Sequence, residues 1–177
     1  HRVPKILYAD DPHWVCPLDS EIDAIFNPAE NKLFREGDAV RWILQDDRGI
    51  LIGRVAAFFN KGKASQHDQP TGGTGFFECI HDREAARTLF DACKNWLKER
   101  GMEAMDGPIT FGENLNHWGL LTEGFTTPVY GMSYHFPYYR ELFEGYGFKV
   151  FYEQYSYEKD LSKPFPDRQV KFSMHLK

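Results

Sequence analysis

The sequence predicts an α/β (α+β) fold: a mixed central sheet flanked by helices, with a β-hairpin followed by the order β-α-β-α-β. Three observations carry that expectation. Residues 39–46 and 50–59 read as two strands around the turn Asp46-Asp47-Arg48-Gly49, an antiparallel hairpin. Asp82 is placed to cap a helix whose Ala86, Leu89, Phe90, Cys93, Trp96 and Leu97 recur at helical spacing until Gly101 offers a stop. That helix lies between two short strand-like runs, 74–80 and 102–109, a spacing that implies parallel pairing.

Upstream of the hairpin, residues 3–8 and 19–26 form two short helices separated by Pro12 and Pro17. In the first strand, Val40, Trp42 and Leu44 alternate with Arg41, Ile43 and Gln45, as on a strand with two partly buried faces. Residues 61–73 have the Gly, Ser, Gln and Pro content of a mobile loop. After the 102–109 strand, Tyr139, Leu142, Phe143 and Tyr146 fall on one helical face, and Gly147 ends that helix. Residues 149–158 then alternate and are rich in Tyr and Phe, the pattern of a last strand. One domain over 1–160 follows, then a polar C-terminal tail or the start of a further segment over 161–177, with no internal repeat.

The stretch 107–148 is too long and too apolar for a linker. A structureless connection beyond about 12–15 residues in a compact domain is usually functional or disordered, and Trp118, Leu120, Leu121, Phe125, Tyr130, Met132, Tyr134 and Phe136 argue against disorder. It reads as a packed wall beside a pocket for a small-molecule ligand. Asn114, Asn116 and Glu123 lie within it among apolar residues, where a polar side chain needs a partner. A bound ligand supplies one; turn capping and loop backbone supply another.

With 21 basic and 26 acidic residues the net charge is -5, which gives no electrostatic footprint for nucleic acid or an anionic membrane. No apolar run reaches the ~20 residues of a membrane span, and a cytoplasmic protein is expected. Cys16, Cys79 and Cys93 are odd in number and widely spaced, which suits reduced thiols. Cys79 and His81, two apart on a strand, invite a nucleophile–base reading, against a buried Cys that is simply a small hydrophobe. His117 and His135 with Glu113 and Glu123 match no tight metal motif, so no metal is expected. Tyr134, Tyr138 and Tyr139 either line a pocket and donate a proton or pack around the last helix. Arg41 and Arg54, on the hairpin strands, read as edge or solvent-facing charges.

This order of elements resembles the GNAT acyltransferase superfamily. The hairpin string 47–55 looks like its second and third strands, and Glu141-Leu142-Phe143-Glu144-Gly145-Tyr146-Gly147-Phe148 like its final helix and following Gly-Phe. Leu7-Tyr8, residues 11–15, 53–57 and 75–79, Trp96-Leu97, 100–102, Gly107-Pro108, 119–121, Gly124-Phe125 and Tyr138-Tyr139 together resemble an uncharacterised bacterial branch of that superfamily. The resemblance implies a first strand before His1 and, in members of that branch, a second GNAT-like half. A homo-oligomer is the other partner expected.

The resemblance also implies acetyl-CoA or another acyl-CoA held at the turn before the long helix, here Cys79, Ile80, His81, Arg83 and Arg87. That turn lacks the family's glycines, and Asp82 and Glu84 compete with a phosphate for the helix dipole. At the position of the family's proton-donating Tyr stands Phe143, so either Tyr138, Tyr139 or Tyr146 substitutes or the chemistry is absent; Tyr138 and Tyr139 are the candidate catalytic acids. An amine acceptor would meet Asn114, Asn116, Trp118, Glu123 and Tyr134 in the long segment. Two functions stand open: acyl transfer from acyl-CoA to an amine, or a non-catalytic small-molecule-binding or interaction module that has lost the pyrophosphate turn.

Overall fold

The computed structural model describes residues 1–66, 68–112, 118–157 and 159–165. Its centre is a mixed four-stranded sheet in the order β1-β2-β3-β4, formed by β1 (Gly37–Gln45), β2 (Leu51–Asn60), β3 (Thr71–Cys79) and β4 (Ala104–Asp106). β1, β2 and β3 are antiparallel, and β3 pairs with β4 in parallel over Thr71–Gly73 and Ala104–Asp106. The α/β class, the hairpin and the parallel β-α-β unit are therefore as the sequence predicts.

The hairpin closes because Asp46 Oδ1 accepts from the backbone N–H groups of Arg48 and Ile50, while Gly49 takes a φ of 77°. Alternation along β2 and β3 then splits the side chains between two layers. Val55, Ala57, Phe77 and Cys79 pack under α4 (Arg83–Lys98), through Leu89, Phe90, Cys93 and Leu97, and under α5 (Tyr139–Tyr146), through Leu142 and Phe143. Phe77 stacks on Phe90 at 4.6 Å, and Phe143 meets both edge-on. On the other face Ala56, Phe58 and Phe111 pack with Phe26, Phe34 and Phe76, beneath α1 (Arg2–Leu7) and α2 (Asp19–Ile25). Asp82 caps α4 by accepting from Ala85 N–H at 2.7 Å, and Gly147 ends α5 at a φ of 119°.

Two expectations need correction. Residues 61–73 are not a plain loop: Asn60 caps the short helix α3 (Lys61–Ala64) by accepting from Lys63 N–H, and Thr71–Gly73 belong to β3. Gly72 and Gly73 read as loop residues because they lack strand propensity. They are small because a Cβ at either would collide with Leu97 or Phe58, so the close approach of neighbours sets the residue type. The alternating stretch 149–157 is not a strand either. It runs without sheet pairing and largely exposed, because a strand exists only with a partner edge and β4 offers three residues. Glu158 lies outside the described residues.

β3 carries an irregularity that shapes the site. Its register against β2 shifts between Arg54 and Ala56, and Phe76 sits at a φ of 53°, left-handed space that bulky residues rarely enter. Past Thr74, whose C=O accepts from Ile109 N–H at 2.9 Å, β3 and the described residues after β4 pair no further. Among the described residues, the second half of β3, Phe76 to Cys79, thus has an edge without a neighbouring strand.

Candidate functional site

That edge is covered by side chains. Cys79 donates its N–H to the Tyr139 hydroxyl at 3.0 Å and accepts from the Tyr138 hydroxyl at its C=O at 2.8 Å. Two adjacent tyrosines at the start of α5 thereby take the place of a strand. Along the same edge runs a stack of aromatic rings in the order Trp14, Tyr8, Phe136, Tyr138 and His81, with successive centroids 5.2, 4.4, 5.2 and 4.4 Å apart and planes within 17°.

Beneath the stack lies a polar centre that sequence reasoning did not single out. Glu78 points to the α1 side of the sheet, and its side chain is 12% exposed. Its Oε2 accepts from Tyr8 and from Tyr139, each at 2.8 Å, and its Oε1 is 3.4 Å from the Arg54 guanidinium on β2. Burial pushes the Glu78 carboxyl above the usual carboxylate range, against the pull of Arg54 and the two hydroxyls. Burial and the Glu78 charge raise both tyrosines, so they stay protonated and serve as donors. A signal was present: Arg54 and Glu78 are opposite charges on neighbouring strands of an apolar hairpin sheet, and directly opposed residues share a face. Arg54 is correspondingly no solvent-facing charge.

His135 supports this centre from the long segment. It stacks on Tyr139 at 5.2 Å, and its Nε2 accepts from Leu121 N–H at 2.7 Å, so the ring is neutral with its proton on Nδ1. Burial pulls its pKa down to about 4.

The expected site residues are distributed as follows. Tyr138, Tyr139, Cys79 and His81 meet at the end of β3. The Cys79 side chain is fully buried, and burial pushes its thiol up to about 12, whereas His81 is exposed and 3.5 Å from Glu141. Ile80 is bonded through its N–H to Ile52. Arg83 binds Glu141 of α5 at 2.6 Å, and Arg87 is exposed on α4. Tyr134 donates to both oxygens of Asp11 and lies beside the Tyr8 ring. Trp118 tilts against Tyr152 at 6.0 Å, and Glu123 is exposed. Asn114 and Asn116 lie outside the described residues, as do Glu113 and His117. Phe143, at the family's tyrosine position, is buried against Phe77 and Phe90. Among the described residues no group of His, Cys, Asp and Glu could hold a metal ion.

Several donors that a coenzyme A pyrophosphate would use at the turn before α4 are already taken. The N–H groups of Cys79, Ile80, Asp82 and Ala85 are each bonded within the chain, and the Asp82 carboxylate caps the helix end that a phosphate would approach. Arg83 is held by Glu141.

Fold and centre together define a mixed α/β domain with a buried glutamate held by tyrosines at an open strand edge. No protein-family model matches the chain. It is similar to Protein YghO of Escherichia coli K12, with 31% identity over 149 residues, which covers 82% of this chain and 37% of YghO. It is also similar to the bacterial ceramide synthase of Caulobacter vibrioides, with 29% identity over 178 residues, 96% of this chain and 45% of that protein. The chain thus spans less than half the length of these relatives. Among solved structures, the putative acetyl transferase from Pyrococcus furiosus superposes distantly, with a TM-score of 0.44 and 14% identity over 89% of this chain and 87% of that one. No helix among the described residues is long and apolar enough to cross a membrane.

Proposed function

We propose that the chain is an N-acyltransferase-like protein, transferring an acyl group from acyl-CoA to an amine. The observation that carries the reading is Glu78: a carboxylate with a raised affinity for protons, fixed by two tyrosine hydroxyls beside a strand edge that no strand joins and tyrosine side chains cover. An amine reaches the reaction as an ammonium ion and attacks only after losing a proton. A carboxylate whose proton affinity burial has raised is a competent acceptor for it. Tyr8, Tyr139 and Arg54 hold the carboxylate in place, while Tyr138 and Tyr139 are the hydroxyls nearest the strand edge for later proton donation. The reading has support from the ceramide synthase, a protein named for making an N-acylated amino alcohol. The acceptor pocket would lie against the long segment, with Tyr134 and Trp118 in its wall, and a cytoplasmic location fits an acyl-CoA substrate.

The second reading is a non-catalytic binding module on the same fold. It is favoured by the turn before α4, where Asp82 caps the helix end and four N–H groups are bonded within the chain, and by Tyr138 and Tyr139, which already occupy the edge at Cys79. A thermal-shift titration with acetyl-CoA separates the two. Donor at 100 times its dissociation constant adds about 2.7 kcal/mol, a rise of roughly 5–10 °C for a domain of this size. The transferase reading predicts that rise; no shift at millimolar acetyl-CoA supports the binding module and removes this chain as the donor-binding unit.

A further inference from the structure

A cavity of about 160 Å³ lies on the other side of Arg54, between α2 and the β1–β2 hairpin. Ile22, Phe26 and Phe76 make its apolar wall, while Arg41 and Arg54 bring the guanidinium groups. Three features of its lining lack a purpose in the fold alone. Among the described residues, Arg54 Nε is the buried side-chain nitrogen or oxygen with no hydrogen-bond partner, and an unsatisfied buried donor of a charged group is costly. Arg54's contact with Glu78 is a loose 3.4 Å through Nη2, which leaves the guanidinium incompletely used. Phe76 faces the cavity from a left-handed backbone conformation, which persists only where its surroundings impose it. At the rim, Arg41 lies flat over Phe26 at 4.6 Å and is 3.9 Å from Asp23, an exposed and weak pair.

We propose that this cavity binds a small apolar monocarboxylate, an aromatic or short branched acid, whose carboxylate is taken by Arg54 with Arg41 at the mouth. The planar fork of a guanidinium matches a carboxylate, and the volume suits a single ring, since a cavity near 150 Å³ accepts benzene. Because Nε is screened from solvent, binding draws the guanidinium toward the cavity and loosens its contact with Glu78. The site shares Arg54 with the acyl-transfer reading but does not rest on it, and its test uses no acyl donor and no turnover.

The experiment is a titration of the whole chain with benzoate, followed at the Arg54 Nε–H resonance, with benzamide and inorganic phosphate as comparators. The expected result is a saturable shift with benzoate and binding about tenfold weaker or less for both comparators, since a charge-assisted bond is lost in one and the apolar contact in the other. Arg41→Gln, which keeps the Arg54 reporter, weakens benzoate several-fold. Equal binding of benzamide makes the cavity a mere apolar hole and overturns the proposal. So does the absence of a saturable shift in the wild-type chain, a result that does not depend on whether Arg41→Gln folds.

Discussion

His135 shows at the scale of one side chain how the long segment is fixed. The folded state keeps its ring neutral, with a pKa near 4 against an ordinary value near 6.5. A histidine depressed on folding contributes its full stability above the unfolded value, and that contribution is lost as pH falls from about 6.5 toward 4. The depression corresponds to roughly 3 kcal/mol at most. Melting temperature should therefore decline over that window, and His135→Gln, whose amide oxygen can still accept from Leu121 N–H, should flatten the decline. An unchanged acid limb in the variant would show that other groups set it. Glu78 is the opposite case, a carboxyl raised by burial, so ionising it costs stability as pH rises through the ordinary carboxylate range.

At the scale of elements, the decisive feature is the edge of β3 past Thr74, where α5 supplies hydroxyls instead of a strand. Tyr139→Phe removes the acceptor of Cys79 N–H and one donor to Glu78, and should cost about 1–3 kcal/mol, seen as a melting point lower by roughly 2–12 °C. Tyr138→Phe leaves only a half-covered carbonyl and should cost less, about 1 kcal/mol. Equal loss in both would mean that the hydroxyls are not what holds the edge. Much of this level was legible in the sequence: helical spacing from Ala86 to Leu97 and the Asp46–Gly49 turn report local rules, which one sequence carries in full. What was not legible depends on partners. Residues 149–157 have strand alternation but pair with no strand, since β4 offers three residues and tyrosine hydroxyls take the β3 edge at Cys79, and Gly72 and Gly73 look like loop until Leu97 and Phe58 are laid against them. Glu78 went unnoticed because its meaning comes from Tyr8, 70 positions away, and from Tyr139, 61 positions away. Tyr138 and Tyr139 were singled out as a pair, and their hydroxyls converge on Cys79.

For the whole molecule, the two sheet faces have different tasks. The face under α4 and α5 is a continuous aromatic core, with Phe77, Phe90 and Phe143 at its centre. The face under α1 and α2 holds the largely buried charge pair of the site, Arg54 with Glu78, together with the cavity beside it. A domain that needed only to fold would gain little from burying that pair, since a buried ion pair rarely outperforms apolar packing of equal volume. The acyl-transfer account gives that pair a use, at a strand edge held by tyrosine hydroxyls. The account is tested most directly by following free thiol released from acetyl-CoA and from a long-chain acyl-CoA, with and without an amine panel that includes a long-chain amino alcohol. It predicts amine-dependent release by the wild-type chain that rises with pH as Glu78 loses its proton, and a fall of about 10²–10⁴-fold in Glu78→Gln. Release that is independent of amine, or undiminished in a folded Glu78→Gln variant, would contradict it.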